Sequence, residues 1–141
     1  MFNKILVPVD LSTDTTTARL CSAASDLAQK YNSEVLLISV VPDYGMPLVA
    51  SYFPEGAQKK LKEEMKGKLD KLAETYFTSS VSTKLEQGKR RTEILKEIEG
   101  YDPDLVMVGC RRKKSHRNQR LLGATGSIVS DRASCSVMIV R

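Results

Sequence analysis

Residues 35–41 read VLLISVV, apolar at successive positions but for Ser39. A strand with one wet face alternates apolar and polar side chains, whereas a strand covered on both faces by helices carries an unbroken apolar run. This stretch is of the second kind. Outward from it, β-branched apolar runs recur at Ile5 to Val9, Val81 to Leu85, Leu105 to Val108 and Val137 to Val140. Helical patterns fill the intervals. Leu20, Ala24, Leu27, Ala28 and Tyr31 form one stripe of a first helix, with Ser12 or Asp14 placed to cap it. After Pro54, Leu61, Met65, Leu69, Leu72 and Tyr76 share one face of a Lys/Glu-rich helix whose charges make a solvated outer face. A short third helix uses Ile94, Leu95 and Ile98 and stops at Gly100, with Pro103 just beyond. A fourth runs from about Gly123 to Arg132, with Leu121, Leu122, Ile128 and Val129 as its apolar positions.

Strict alternation of strand and helix implies parallel strands joined by right-handed crossovers. The expected architecture is a three-layer α/β/α, doubly wound, five-stranded parallel sheet with two helices on each face. In such sheets ligands bind beyond the carboxyl ends of the strands, where the strand order reverses. For the order 3-2-1-4-5 that crevice lies between strands 1 and 4. Its expected walls are the loop Pro8 to Ser12 and the loop Gly109 to Gly123.

The 141 residues, 41% hydrophobic and 28% charged, suit a single domain over 1–141 and exclude a disulfide-stapled mini-protein or a disordered tail. No apolar run approaches the roughly 20 residues that span a bilayer, and the opening MFNKILVPVD breaks the apolar core of a secretion signal with Asn3 and Asp10. A cytoplasmic protein without a membrane partner is expected. Cys21, Cys110 and Cys135 carry no CxxC spacing and read as small buried hydrophobes of a reducing compartment. The net charge of +5 is unevenly placed. Residues 1–104 hold 14 basic and 16 acidic side chains, while residues 105–130 hold six basic and none acidic. One basic loop on a near-neutral body points to a local anion site rather than to a nucleic-acid-binding surface.

Charge placement and topology therefore converge on the loop after strand 4. Asp10, closing strand 1, can accept hydrogen bonds from a ribose hydroxyl, hold a metal through water, or simply cap the next helix. Gly109 lets backbone approach a ligand, and Gly123-Ala-Thr-Gly126-Ser127 opens the fourth helix, where free N–H groups and the dipole favour phosphate. The absence of GxxxxGK[ST] excludes a P-loop NTPase, and the absence of GxGxxG after strand 1 leaves dinucleotide binding unsupported. His116, the one histidine, stands among positive charges without an acid or second ligand beside it, which suits a solvated loop residue. No nucleophile pairs with a base, so no catalytic residue and no metal site is expected. Tyr44, Met46, Tyr52 and Phe53 lie in a Pro/Gly-punctuated connection that suits either a flap over a ligand or a surface loop.

The segments KILVPVD, DLVMVG, LLGATGS and ASCSVMIVR together resemble the universal stress protein family over the whole chain, most closely its short single-domain F and G type bacterial members. That family's ATP signature is Gly, two residues, Gly, nine residues, then Gly followed by Ser or Thr. Gly109 and Gly123 match its first and last glycines, while Arg112 stands at the second, ten residues separate Arg112 from Gly123, and Ala124 replaces the hydroxyl residue. An alanine cannot donate to a phosphate oxygen, but Thr125 and Ser127 stand close by and Arg112 offers a guanidinium to phosphate. The resemblance implies an adenine nucleotide alpha hydrolase-like variety of the Rossmann-like fold. It implies Pro8, Val9 and Asp10 against adenine and ribose, Val40 against adenine from strand 2, Met107 and Gly109 on the opposite wall, and Gly123, Ala124 and Thr125 at the phosphates with Arg112. The implied cofactor is ATP, with or without magnesium, and the implied partner is a second copy joined through the last strand, SVMIVR. The function so implied is a dimeric, adenine-nucleotide-binding stress sensor or regulator with at most slow hydrolysis.

A different class remains open, a non-nucleotide interaction protein whose basic loop 111–120 docks an acidic partner, an anion or RNA. That loop, RRKKSHRNQR, lacks the interleaved aromatics on which bases stack, which argues against nucleic acid. A phosphorylated receiver domain needs an acidic pair after strand 1 and an Asp after strand 3, where this chain has Asp10 and then Gln87-Gly88.

Overall fold

The computed structural model describes residues 1–42, 56–78, 80–110 and 122–141. In chain order the elements are β1 (Lys4–Pro8), α1 (Asp14–Tyr31), β2 (Glu34–Pro42), α2 (Ala57–Tyr76), β3 (Val81–Gly88), α3 (Arg90–Tyr101), β4 (Leu105–Gly109), α4 (Ala124–Arg132) and β5 (Ser136–Val140). All four strand pairings are parallel and the order is β3-β2-β1-β4-β5. The expected topology is the one observed.

Alternation of side chains along each strand divides the core in two. Ile5, Val7, Val35, Leu37, Leu105 and Met107 pack beneath α1 and α2, against Leu20, Cys21, Ala24, Leu69 and Ala73. Leu6, Leu36, Ile38, Val40, Val106 and Val108 pack beneath α3 and α4, against Ile94, Ile98 and Val129. Two helices thus cover each face, and VLLISVV is buried from end to end. Each fully buried aliphatic side chain contributes roughly 1.5 to 3 kcal/mol over leaving it in water. The stripe on α2 is buried only toward its end, at Leu69 and Ala73, while Leu61 is 40% exposed.

The helix ends differ from expectation at two points. The N-cap of α1 is Thr13, without a side-chain cap bond; its hydroxyl donates to the Asp10 carbonyl at 3.3 Å, and the Ser12 hydroxyl donates to the Asp10 carboxylate at 2.6 Å. α3 passes through Gly100 to Tyr101, and Asp102 takes the left-handed cap at φ 51. A glycine inside a helix costs about 1 kcal/mol and does not stop it, whereas Pro103 disfavours the right-handed helix at the residue before it. The amino ends of β1 and β4 are tied by Asp104, whose Oδ2 accepts the N–H groups of Asn3 at 2.7 Å and Lys4 at 2.9 Å.

At the carboxyl ends the strands part. The register of β1 on β2 continues to Pro8 opposite Ile38, and Val9 N–H still donates to Ile38 O at 2.8 Å. The register of β1 on β4 comprises only Ile5 opposite Leu105 and Leu6 opposite Val106. Successive residues of a strand turn their backbone groups to opposite neighbours. Since Val9 bonds toward β2, Pro8 faces β4, and a proline has no N–H to extend that ladder. The crevice starts where Pro8 ends the pairing.

Candidate functional site

The parted ends of β1 and β4 enclose a cavity of about 460 Å³. Its floor and sides are apolar, from Val9, Ile38, Val40, Val108, Ile94 and Leu20, and its lip is formed by Gly123 to Gly126 at the start of α4. Of the residues expected at a site, Pro8, Val9, Asp10, Val40, Gly109, Gly123, Ala124 and Thr125 all line this one cavity. Met107 is not among them. It is fully buried beneath α1 and α2, and its neighbour Val108 lines the cavity instead, because adjacent strand residues face opposite sides. Arg112 lies outside the described residues, as do His116, the rest of the basic run, and Tyr44, Met46, Tyr52 and Phe53.

Asp10 is held by a dense set of local bonds. Its Oδ1 accepts the Ser12 N–H at 3.0 Å and the Ser12 hydroxyl at 2.6 Å. Its carbonyl accepts the Thr17 hydroxyl at 2.7 Å, the Thr13 N–H at 3.2 Å and the Thr13 hydroxyl at 3.3 Å. The carboxylate is thereby fixed at the cavity wall before any ligand arrives, so little ordering entropy remains to be lost on binding.

Gly109 meets α1 closely: a Cβ there would stand 2.7 Å from Thr16 Cγ2. The glycine lets α1 pack onto the end of β4. Gly126 is likewise crowded, by Leu122. Gly123 has nothing within 4 Å of its Cβ position, and its φ of −59° suits any residue. Among the described residues no side chain caps α4, and its first-turn N–H groups, which lack intrahelical acceptors, stand at the lip of the cavity.

Of the lining residues that the sequence reading missed, one is charged. Arg90, the first residue of α3, places Nη1 at 3.3 Å from Asp10 Oδ2, across the cavity mouth. Its signal was present in Lys89-Arg90-Arg91, three cations opening a helix whose dipole disfavours them. Among the described residues lining the cavity, Asp10 and Arg90 are the titratable pair. Also among the described residues, no three metal-ligating side chains gather, and no helix is long and apolar enough to cross a membrane. The arrangement can clasp a flat apolar group between the strand ends, accept a hydrogen bond from a hydroxyl at Asp10, and hold anionic groups at α4 and Arg90.

A doubly wound parallel sheet with a preformed crevice at its switch point defines the Rossmann-like α/β class. Within that class the chain belongs to the Universal stress protein family, whose profile matches residues 1–141. A curated relative, Universal stress protein A homolog 2 of Coxiella burnetii, is 28% identical over 142 residues, 99% of this chain and 95% of that protein. The structure of universal stress protein UspA from Lactobacillus plantarum superimposes with a TM-score of 0.73 at 25% identity, covering 99% of this chain and 97% of that one. A family member from Arabidopsis thaliana with AMP bound shares the fold at a TM-score of 0.63 and 18% identity, covering 98% of this chain and 90% of that one. Other members of similar fold have been solved with cAMP and with dAMP.

Proposed function

We propose that this protein binds an adenine nucleotide in the β1/β4 crevice and acts as a dimeric, ligand-governed stress sensor or regulator rather than an efficient catalyst, in the manner of the short F and G type members. The observation that carries the reading is the cavity itself: apolar strand ends for a base, a prefixed carboxylate for a ribose hydroxyl, and the start of a helix for phosphate. Relatives of the same fold solved with AMP, dAMP and cAMP support the ligand class. In this reading adenine lies between Val9, Val40 and Val108, the ribose meets Pro8 and Asp10, and phosphates meet Gly123, Ala124 and Thr125, with Arg112 the further residue proposed for phosphate. ATP is among the adenylates the crevice is proposed to take. With Asp10 the one acid of the described lining, magnesium would be held by the phosphates and water rather than by a carboxylate cage.

The test is titration calorimetry with ATP, ADP and adenosine, each with magnesium. Asp10→Ala should weaken all three ligands. Gly123→Val should weaken ATP and ADP at least tenfold while sparing adenosine, since a side chain there would screen the first-turn N–H groups that hold phosphate. The open surroundings of Gly123 allow that variant to fold. Wild-type protein that binds none of the three at millimolar concentration would overturn the reading.

A further inference from the structure

We propose that Arg90 makes the crevice selective for adenylates carrying a second phosphate, a monoester on a ribose hydroxyl, in addition to the one at the 5′ position. The inference rests on the adenylate reading above and extends it to the ligand class. A lone carboxylate at the ribose selects free hydroxyls and repels a phosphate in their place, whereas an arginine beside the ribose accommodates it. This chain has both at one spot: Asp10 Oδ2 and Arg90 Nη1 stand 3.3 Å apart in the cavity wall.

The two groups are not equivalent in freedom. Asp10 is fixed through Ser12, Thr13 and Thr17, while the Arg90 side chain is 44% exposed and meets Asp10 at one nitrogen. A guanidinium has five donors in a planar fork matched to phosphate. It can turn from Asp10 to a ribose phosphate, keeping the carboxylate within reach and cancelling its repulsion. Arg90 also has no role in stabilising its own helix, since a cation at the first position opposes the dipole. Its placement is accounted for by the crevice.

The experiment compares 5′-AMP with adenosine 3′,5′-bisphosphate and adenosine 2′,5′-bisphosphate by calorimetry, on wild type, Arg90→Ala and Arg90→Lys, with circular dichroism confirming that each variant is folded. Wild type should bind one of the bisphosphates about tenfold tighter than 5′-AMP, the gain of a charge-assisted bidentate contact. Arg90→Ala should reverse that order, because the Asp10 carboxylate then meets the added phosphate without that guanidinium between them, and Arg90→Lys should fall between, as a point charge without the fork. Wild type that binds 5′-AMP as tightly as either bisphosphate, or a preference that survives Arg90→Ala, overturns the inference and leaves the adenylate reading standing. Failure of wild type to bind any of the three overturns both.

Discussion

At the scale of single residues the two glycines that flank the crevice differ in kind. Gly109 is small because α1 needs the space: an added Cβ would meet Thr16 Cγ2 at 2.7 Å and Leu20 Cδ2 at 3.6 Å. Gly109→Ala is therefore expected to destabilise the protein by about 1 to 3 kcal/mol, the usual cost of overpacking a close contact. Urea denaturation measures this, and an unshifted midpoint would mean that Thr16 swings clear without cost. At Gly123 no protein atom forbids a side chain, so what a substitution there would disturb is the space outside the protein's own packing. Cys21 illustrates the opposite case, a side chain explained wholly by packing. Burial on the sheet-facing side of α1 pushes its thiol up to about 11, so it stays protonated and unreactive at neutral pH.

Among the elements, β3 and β5 are the two edges of the sheet, and the more apolar of the two is β5. It is an edge strand paired only with β4, and Met138 is 36% exposed while Val137 and Ile139 lean on the core. Edge strands of this kind are commonly covered by another chain, which is the basis for proposing a dimer through β5. Met138→Glu is expected to give monomers in sedimentation with the fold intact; an unchanged dimer would place the interface elsewhere. The strands and their order were legible because unbroken apolar runs with helical intervals admit few other topologies. Most of the crevice was legible too, since the switch point names the loops after β1 and β4. Three features were not. Choosing Met107 over Val108 is an error of one residue, which in a strand exchanges faces. The end of α3 is set by Pro103 acting on Asp102, not by the more conspicuous Gly100. Arg90 reaches Asp10 across 80 positions of sequence, through the folding back of α3, and no local pattern encodes that meeting.

For the whole molecule, stability should hold over a wide pH range and fail at both ends for separate reasons. Hydrogen bonds from the Lys4 and Asn3 backbone hold the Asp104 carboxyl below its ordinary value, and bonds from Lys66 and Thr83 do the same for Asp70. A depressed carboxylate stabilises the fold above the unfolded value of about 4 and loses that contribution as pH falls through the folded value. Lys84 is raised, first by its bond to Glu97 and then by that to Glu86, so its contribution is complete below the unfolded value of about 10.4 and is lost as pH rises through the folded one. Urea midpoints followed across pH should therefore drop on both sides, and Asp104→Asn should flatten the acid limb; an acid limb of unchanged slope would assign it to other carboxylates. The strand order carries a further consequence for biosynthesis. β1 is the central strand, yet its second neighbour, β4, begins about a hundred residues after β1 does. While the chain is being made, β1, β2 and β3 can assemble, but one long edge of β1 stays open beside Ile5, Leu6 and Val7 until Leu105–Gly109 has emerged. A ribosome that stalls before residue 105 would thus release a half-sheet with a sticky apolar flank, the form of this protein most in need of a chaperone.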